Sequence, residues 1–407
     1  MIIKARVVVT MDGPPIVDGA VLIERQEVVA VGRATDLDRQ HDGPLVDLGE
    51  QVLLPGLINA HCHLDYTTMR HALAPSRSFA DWVKRHNALK RSLDSDDYLN
   101  AIARGFAELK RWGTTTVCNI EAFPELMPRM PPAPIRTWWF YEMIDIRHRI
   151  TTDDVVAGAL MFFQHRDDAI GGFGLSPHAP YTASTRLYHL AKECAATMQM
   201  PLMTHVAESS EELAMFRDGR GALYDFMRSL KRPMGDCGIS SPFAHLWRSG
   251  AVDSQWLLTH MNELTEDDFT ILANLPRGAA PHVVHCPGSH RYFGHSEFPC
   301  RRLFELGVNI CIGTDSLAST DSLSLLSELR RMHAAEPWLT AEELLRTITV
   351  NPARALRRES SLGRIAPGAF ADLIAVPTCG KVETVHEEIV AYAGPISWMM
   401  IDGKIRP

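Results

Sequence analysis

Apolar runs of strand length recur through the middle of the chain and alternate with stretches of helical spacing. The runs are Leu57–His63, Thr114–Asn119, Arg136–Tyr141, Gly172–His178, Pro201–Val206, Trp256–His260, His282–His285 and Val308–Asp315. Between them, Phe79–Leu109, Thr152–Gln164, Thr185–Met198, Glu208–Phe216, Glu266–Asn274 and Leu323–Ala334 read as helices. Eight strands with helical crossovers predict a parallel α/β architecture. At 407 residues, a closed (β/α)8 TIM-like barrel is the leading choice. A doubly wound sheet is the alternative, but no Gly-rich phosphate loop follows the first strand.

The ends have a different texture. Val7–Thr10, Gly19–Ile23 and Val28–Val31 read as short strands between Gly, Pro and Asp turns. Gly363–Ile365, Ala371–Val376 and Ser397–Ile401 repeat the pattern. This predicts a small β-sandwich domain built from both termini: 1–54 and 361–407 around a catalytic barrel over 55–360. The Pro-rich patch Pro124–Pro134 reads as a rigid loop. The stretch before Trp256, carrying Gly219, Gly221 and Gly235, reads as a long loop, available as a lid or an oligomer contact.

Composition narrows the function classes. Hydrophobic residues make up 46% of the chain, enough for a sizeable core, and the net charge is −8. No basic stripe occurs, which argues against a nucleic acid polymer as partner. No run approaches the ~18 apolar residues of a membrane helix, and Met1–Thr10 reads as a first strand rather than a signal peptide. The eight cysteines form no Cys-x-x-Cys pair and read as reduced thiols of a cytoplasmic protein. A homo-oligomer, by default a dimer, is expected.

The chemistry gathers where the strands end. Side chains at i and i+2 of a strand share a face, so His61 and His63 project into one site. His178, His205, His260, His285 and Asp315 close five further strands. In a barrel these ends share the rim where active sites lie. One such histidine is commonly a packed rim residue; six strands ending in His or Asp is a far less probable accident. Neutral imidazoles from His61, His63 and His205 with the Asp315 carboxylate suit one divalent metal, Zn²⁺ first and Fe²⁺ as alternative, with a position left for water. Glu208, three residues past His205, reads as a proton shuttle; a helix N-terminal Glu favoured by the macrodipole is the competing reading.

These pieces resemble a family. Pro55-Gly56-Leu57-Ile58-Asn59-Ala60-His61-Cys62-His63, His178-Ala179-Pro180-Tyr181, Thr204-His205-Val206-Ala207-Glu208, Thr259-His260 and Gly313-Thr314-Asp315-Ser316 are similar to the motifs of the amidohydrolase superfamily, in its aminohydrolase and chlorohydrolase branch. The resemblance implies a mononuclear site of His61, His63, His205 and Asp315. Binuclear relatives carry a lysine at the end of the fourth strand, and none occurs from Gly171 to Tyr181. It implies a metal-activated water attacking an amino-bearing ring carbon. Asp315 would take the water's proton, Glu208 would protonate the ring nitrogen, and His260 would stabilise the attacking oxygen.

The resemblance also implies that His178 and Trp82 bind a small heteroaromatic substrate. A 6-amino nucleoside with a modified ribose is the first expectation: the 6-aminodeoxyfutalosine, methylthioadenosine or adenosylhomocysteine class. Guanine, pterin and triazine substrates are alternatives, as is a catalytically silent nucleoside-binding barrel. Relatives usually carry Asn-Pro-x-Ser-Asn after the seventh strand. Here His285-Cys286-Pro287-Gly288-Ser289-His290-Arg291 stands instead. His285, Ser289, His290 and Arg291 are therefore candidates for an anionic or sugar part of the substrate, and Arg136, Arg147 and Arg149 for a carboxylate.

Overall fold

The computed structural model describes residues 1–37, 43–146, 150–163, 170–379 and 381–406. Five strands open the chain: β1 (Ile2–Val8), β2 (Ile16–Glu24), β3 (Glu27–Arg33), β4 (Leu45–Asp47) and β5 (Gln51–Pro55). Eight follow: β6 (Leu57–Cys62), β7 (Thr114–Glu121), β8 (Arg136–Met143), β9 (Gly171–Pro177), β10 (Leu202–Val206), β11 (Trp256–His260), β12 (His282–His285) and β13 (Ile310–Ile312). Three more, β14 (Leu373–Pro377), β15 (Trp398–Ile401) and β16 (Lys404–Arg406), come last.

Strands β6 to β13 pair in sequence order, every pair parallel. Their residues are almost all buried, as a parallel sheet covered on its outer face by helices requires. The two ends of the sheet meet. Thr314 N and Asp315 N both donate to His61 O at 3.1 Å, and a bridge joins Cys62 to Asp315. Gly313 makes this closure possible: a Cβ there would lie 2.7 Å from His61 O. The result is a (β/α)8 barrel.

Terminal strands form a second sheet of order β16-β15-β14-β5-β1-β2-β3, with β4 beside β1. The antiparallel pairing of β14 with β5 joins the two ends of the chain. The buried Arg136 at the start of β8 sits across from this sheet. Its guanidinium donates to Asp372 (Nε to Oδ2, 2.7 Å) and lies 3.3 Å from Asp402 Oδ1.

Four expectations need correction. The stretch Phe79–Leu109 is two helices, Phe79–Lys90 and Ser95–Arg111, because Asp94 and Asp97 form a reciprocal capping box that starts the second. Gly363–Ile365 is not a strand. The patch after Pro124 contains a 3-10 turn, Pro124–Arg129. The segment before Trp256 contains helices Ala222–Ser229 and Pro242–Arg248. In it Leu223 and Met227 pack with Phe79, Ala179 and Phe216 into one buried cluster. Among the described residues no helix is long and apolar enough to cross a membrane.

Candidate metal centre and active site

The ends of β6, β10, β11 and the residues after β13 bring five donor side chains together. His63 Nε2 lies 3.3 Å from His205 Nε2. Asp315 Oδ1 lies 3.9 Å from both His61 Nε2 and His63 Nε2. Two triads, His61/His205/His260 and His61/His63/Asp315, each hold ligand atoms within 4.8 Å of one another. A tetrahedral site with 2.0–2.1 Å bonds has edges of about 3.3–3.4 Å, close to these separations.

Hydrogen bonds orient the donors. His205 Nδ1 donates to the His178 carbonyl at 2.7 Å, which leaves His205 Nε2 with its lone pair directed at His63. His61 Nε2 is buried with no partner among the described residues. Asp315 Oδ2 accepts from Ser289 Oγ (2.6 Å) and Ser319 Oγ (3.1 Å), and Oδ1 accepts from Ser316 N. Burial holds the imidazoles neutral: His61 and His63 are driven well below the ordinary histidine value, and His205 to about 4. Neutral nitrogens and a carboxylate converging in a buried space, one nitrogen otherwise unpaired, fit a divalent cation.

The backbone carrying these groups is strained. Ala207 (φ 52°), His260 (φ 79°), Met261 (φ 51°) and Asp315 (φ 58°) occupy the left-handed region. Each follows a barrel strand or ends one. The turn aims His260 across at Glu208, with His260 Nε2 3.6 Å from Glu208 Oε1. Glu208 is fixed from both sides: its N–H donates to Glu212 Oε2 at 2.7 Å, and its carbonyl accepts from Asn262 Nδ2 at 3.0 Å. Burial, then the Asp315 charge, pushes the Glu208 carboxyl well above the usual range. Both effects favour its protonated form.

The other expected site residues are placed as follows. His178 stands beside the cluster, 4.9 Å from the His205 ring by centroids, with Nε2 3.9 Å from Glu142 Oε1. Trp82 is buried and donates from Nε1 to Tyr292 Oη at 3.1 Å. His285 stacks on Phe298 at 3.8 Å. Ser289 reaches Asp315, as given above. His290, in the helix Pro287–Phe293, bonds through Nε2 to the Ser296 carbonyl at 2.7 Å just past that helix. Arg291 is exposed and is not brought into the cluster. Arg136 is at the opposite end of the barrel in its ion pair, so a substrate carboxylate is not its partner. Arg147 and Arg149 lie outside the described residues.

Sequence reading missed a set of groups around the cluster. Asp65, Glu121 and Glu142 follow or end the first three barrel strands. Asp65 is raised to about 7, chiefly by burial. Lys90 Nζ donates to Tyr66 Oη at 2.6 Å, and Tyr66 stacks on His63 at 5.7 Å. His86 lies between Tyr66 and Trp82. The available signal was the i, i+4, i+8 spacing of Trp82, His86 and Lys90, which puts all three on one face of their helix.

Such a donor set at the rim of a parallel eight-stranded barrel, with an acid and a further imidazole beside it, defines a metal-binding barrel of hydrolytic type. The model of the Amidohydrolase family matches residues 52–406, and the chain belongs to that family. It is 28% identical over 385 residues to 5-methylthioadenosine/S-adenosylhomocysteine deaminase of Pyrococcus furiosus, covering 92% of this chain and 85% of that one. It is 30% identical over 339 residues to aminodeoxyfutalosine deaminase of Deinococcus radiodurans, covering 81% and 79%. Among solved structures, an adenosine deaminase from Xanthomonas campestris with bound zinc superposes with a TM-score of 0.83 at 26% identity, covering 99% of this chain and 92% of that one.

Proposed function

We propose that this chain is a metal-dependent hydrolytic deaminase of an aminated purine-type ring. Its substrate is a 6-amino nucleoside with a modified ribose, of the 6-aminodeoxyfutalosine, methylthioadenosine or adenosylhomocysteine class. The names of its relatives supply that class. The observation that carries the reaction type is the buried Glu208 set 3.6 Å from His260 beside the His/Asp donor set.

His61, His63, His205 and Asp315 would hold one divalent cation, Zn²⁺ in the first place and Fe²⁺ as the alternative. Such a cation, when bound, lowers the pKa of a water to about 7. The rest falls to this chain's residues. His178 and Trp82 hold the ring. Asp315 accepts the proton of the attacking water, with Ser289 and Ser319 steadying its far oxygen. Glu208 delivers its proton to the ring nitrogen next to the amino-bearing carbon, so no negative charge accumulates on the ring. His260 hydrogen-bonds the incoming oxygen. The Asp315 proton passes to the amino group, the hydroxyl proton of the adduct returns to the Glu208 carboxylate, the C–N bond breaks with ammonia leaving, and a ring carbonyl remains.

The test is incubation of zinc-loaded protein with adenosine, methylthioadenosine and adenosylhomocysteine, following ammonia and the ultraviolet change. Release of ammonia that stops after chelator treatment and returns with Zn²⁺ is the expected result. No turnover of any adenine derivative, with binding intact, would favour a silent nucleoside-binding barrel. A cytoplasmic homodimer completes the reading, and light scattering of the purified chain tests the assembly.

A further inference from the structure

An arc of aromatic rings runs from the metal centre and returns to it. It begins at His63, which stacks on Tyr66 at 5.7 Å. Tyr66 meets the His86 ring edge-on at 4.7 Å, and His86 stacks on Trp82 at 4.9 Å. Trp82 meets Phe293 at 4.9 Å, and Phe293 lies 5.2 Å from His295. His295 is within electrostatic reach of Asp315 and His260, and His86 of Asp315 and His178. Along the arc the two histidines therefore stand on either side of Trp82, each close enough to the centre to feel Asp315.

Both share a further property. His86 Nε2 and His295 Nε2 are each buried, and neither finds a hydrogen-bond partner among the described residues. A buried ring nitrogen left without a partner is unfavourable, because its hydration is lost and nothing replaces it. The packing fixes each ring and leaves its nitrogen without a protein partner. Nothing in the reaction as derived uses either residue.

We propose that His86 and His295 are specificity residues that hydrogen-bond hydroxyl groups on the non-reacting part of the substrate, a sugar-like substituent carried by the heteroaromatic amine. The proposal rests on the deaminase reading for the identity of the ring, but not for the hydroxyl recognition itself. Burial holds both imidazoles neutral, pushed down to about 3. A neutral imidazole nitrogen offers one donor or one acceptor, and a hydroxyl, being both, satisfies either tautomer. An anion would call for a free cation instead. Lys90, one helical turn beyond His86, has its ammonium against the Tyr66 hydroxyl and over the Tyr66 and Phe123 rings.

The experiment measures equilibrium binding and turnover of adenosine against 2′,3′-dideoxyadenosine, for zinc-loaded wild type, His86→Phe and His295→Phe. Phenylalanine keeps the ring in the arc and removes the nitrogen. Wild type should prefer adenosine by about tenfold or more in Kd, the worth of a lost hydrogen bond. Each substitution should reduce that preference severalfold. Equal wild-type affinities for the two nucleosides would overturn the inference without touching the deaminase reading. Hydroxyl-dependent binding without ammonia release would overturn the deaminase reading alone. Variants that lose affinity for both nucleosides equally would make the histidines structural. The wild-type comparison stands even if a variant does not fold.

Discussion

Glu208 is where environment and task agree most closely. Burial shifts the Glu208 carboxyl toward its protonated form, and the proposed reaction needs that proton. The sign follows: the acid form is present below the raised value and lost as pH climbs through it, so kcat should fall on the alkaline side. Glu208→Gln should lower kcat by about 10²–10⁴ and abolish that alkaline limb, while nucleoside affinity and zinc content stay near wild type. Steady-state kinetics across pH with metal analysis decides it. Ser289 offers a second test. Its hydroxyl holds Asp315 Oδ2 at 2.6 Å, and loss of such an outer partner costs about 10–100-fold in metal affinity. Ser289→Ala should show that drop in a zinc competition assay, tempered by Ser319. Unchanged affinity would return Ser289 to the substrate. The convergence of the candidate donors and Glu208 was legible because motif spacing and strand ends both mark them. His86 and His295 were not: a lone histidine in a helix or loop carries no period, and only packing shows that its nitrogen is unpaired.

At the scale of elements, the helix Phe79–Lys90 forms one wall of the site, and the helix Ser210–Asp218 holds its start. Phe79 N and Ala80 N donate to the Glu211 carboxylate at 2.9 and 3.0 Å, supplying a cap for amides that have no partner within the helix. The neighbouring Glu212 reaches the other way, accepting from Ala207 N at 3.1 Å and Glu208 N at 2.7 Å. One helix start thus fixes both the backbone of Glu208 and the helix that carries Trp82. Charge-assisted bonds of this kind contribute about 1.5–3 kcal/mol each. Glu211→Ala should therefore raise KM by about tenfold or more with a small change in kcat, and hydrogen exchange should quicken at the start of Phe79–Lys90. Equal exchange rates in variant and wild type would remove the clamp. None of this was readable along the chain. Glu211 looks like any acidic residue in a first turn, and its partners are more than 130 positions away. The same limit merged Phe79–Leu109 into one helix, although Asp94 and Asp97 were visible as a capping pair.

Across the whole molecule, the barrel was legible and its attachment to the terminal sheet was only partly so. Buried parallel strands announce themselves as apolar runs bounded by helices, and the eight expected runs match β6–β13 closely. The pairing of β5 with β14 and the Arg136 network depend on contacts over more than 230 residues, which no local pattern encodes. Arg136 shows the difference in consequence. As a sequence it was a candidate for a substrate carboxylate. In the fold its guanidinium is buried between Asp372 and Asp402 and over the Phe370 ring at 4.1 Å, at the barrel end opposite the histidines. Removing one partner of a buried ion pair leaves the other charge uncompensated, at a cost of about 3–5 kcal/mol. Arg136→Ala should accordingly lower Tm and urea resistance substantially, while kcat and KM of the folded fraction stay at wild-type values. A substrate-binding arginine would give the reverse pattern, a raised KM with stability nearly intact. Thermal unfolding and kinetics on one preparation separate the two, and a raised KM would place the carboxylate of the substrate where this structure puts Asp372.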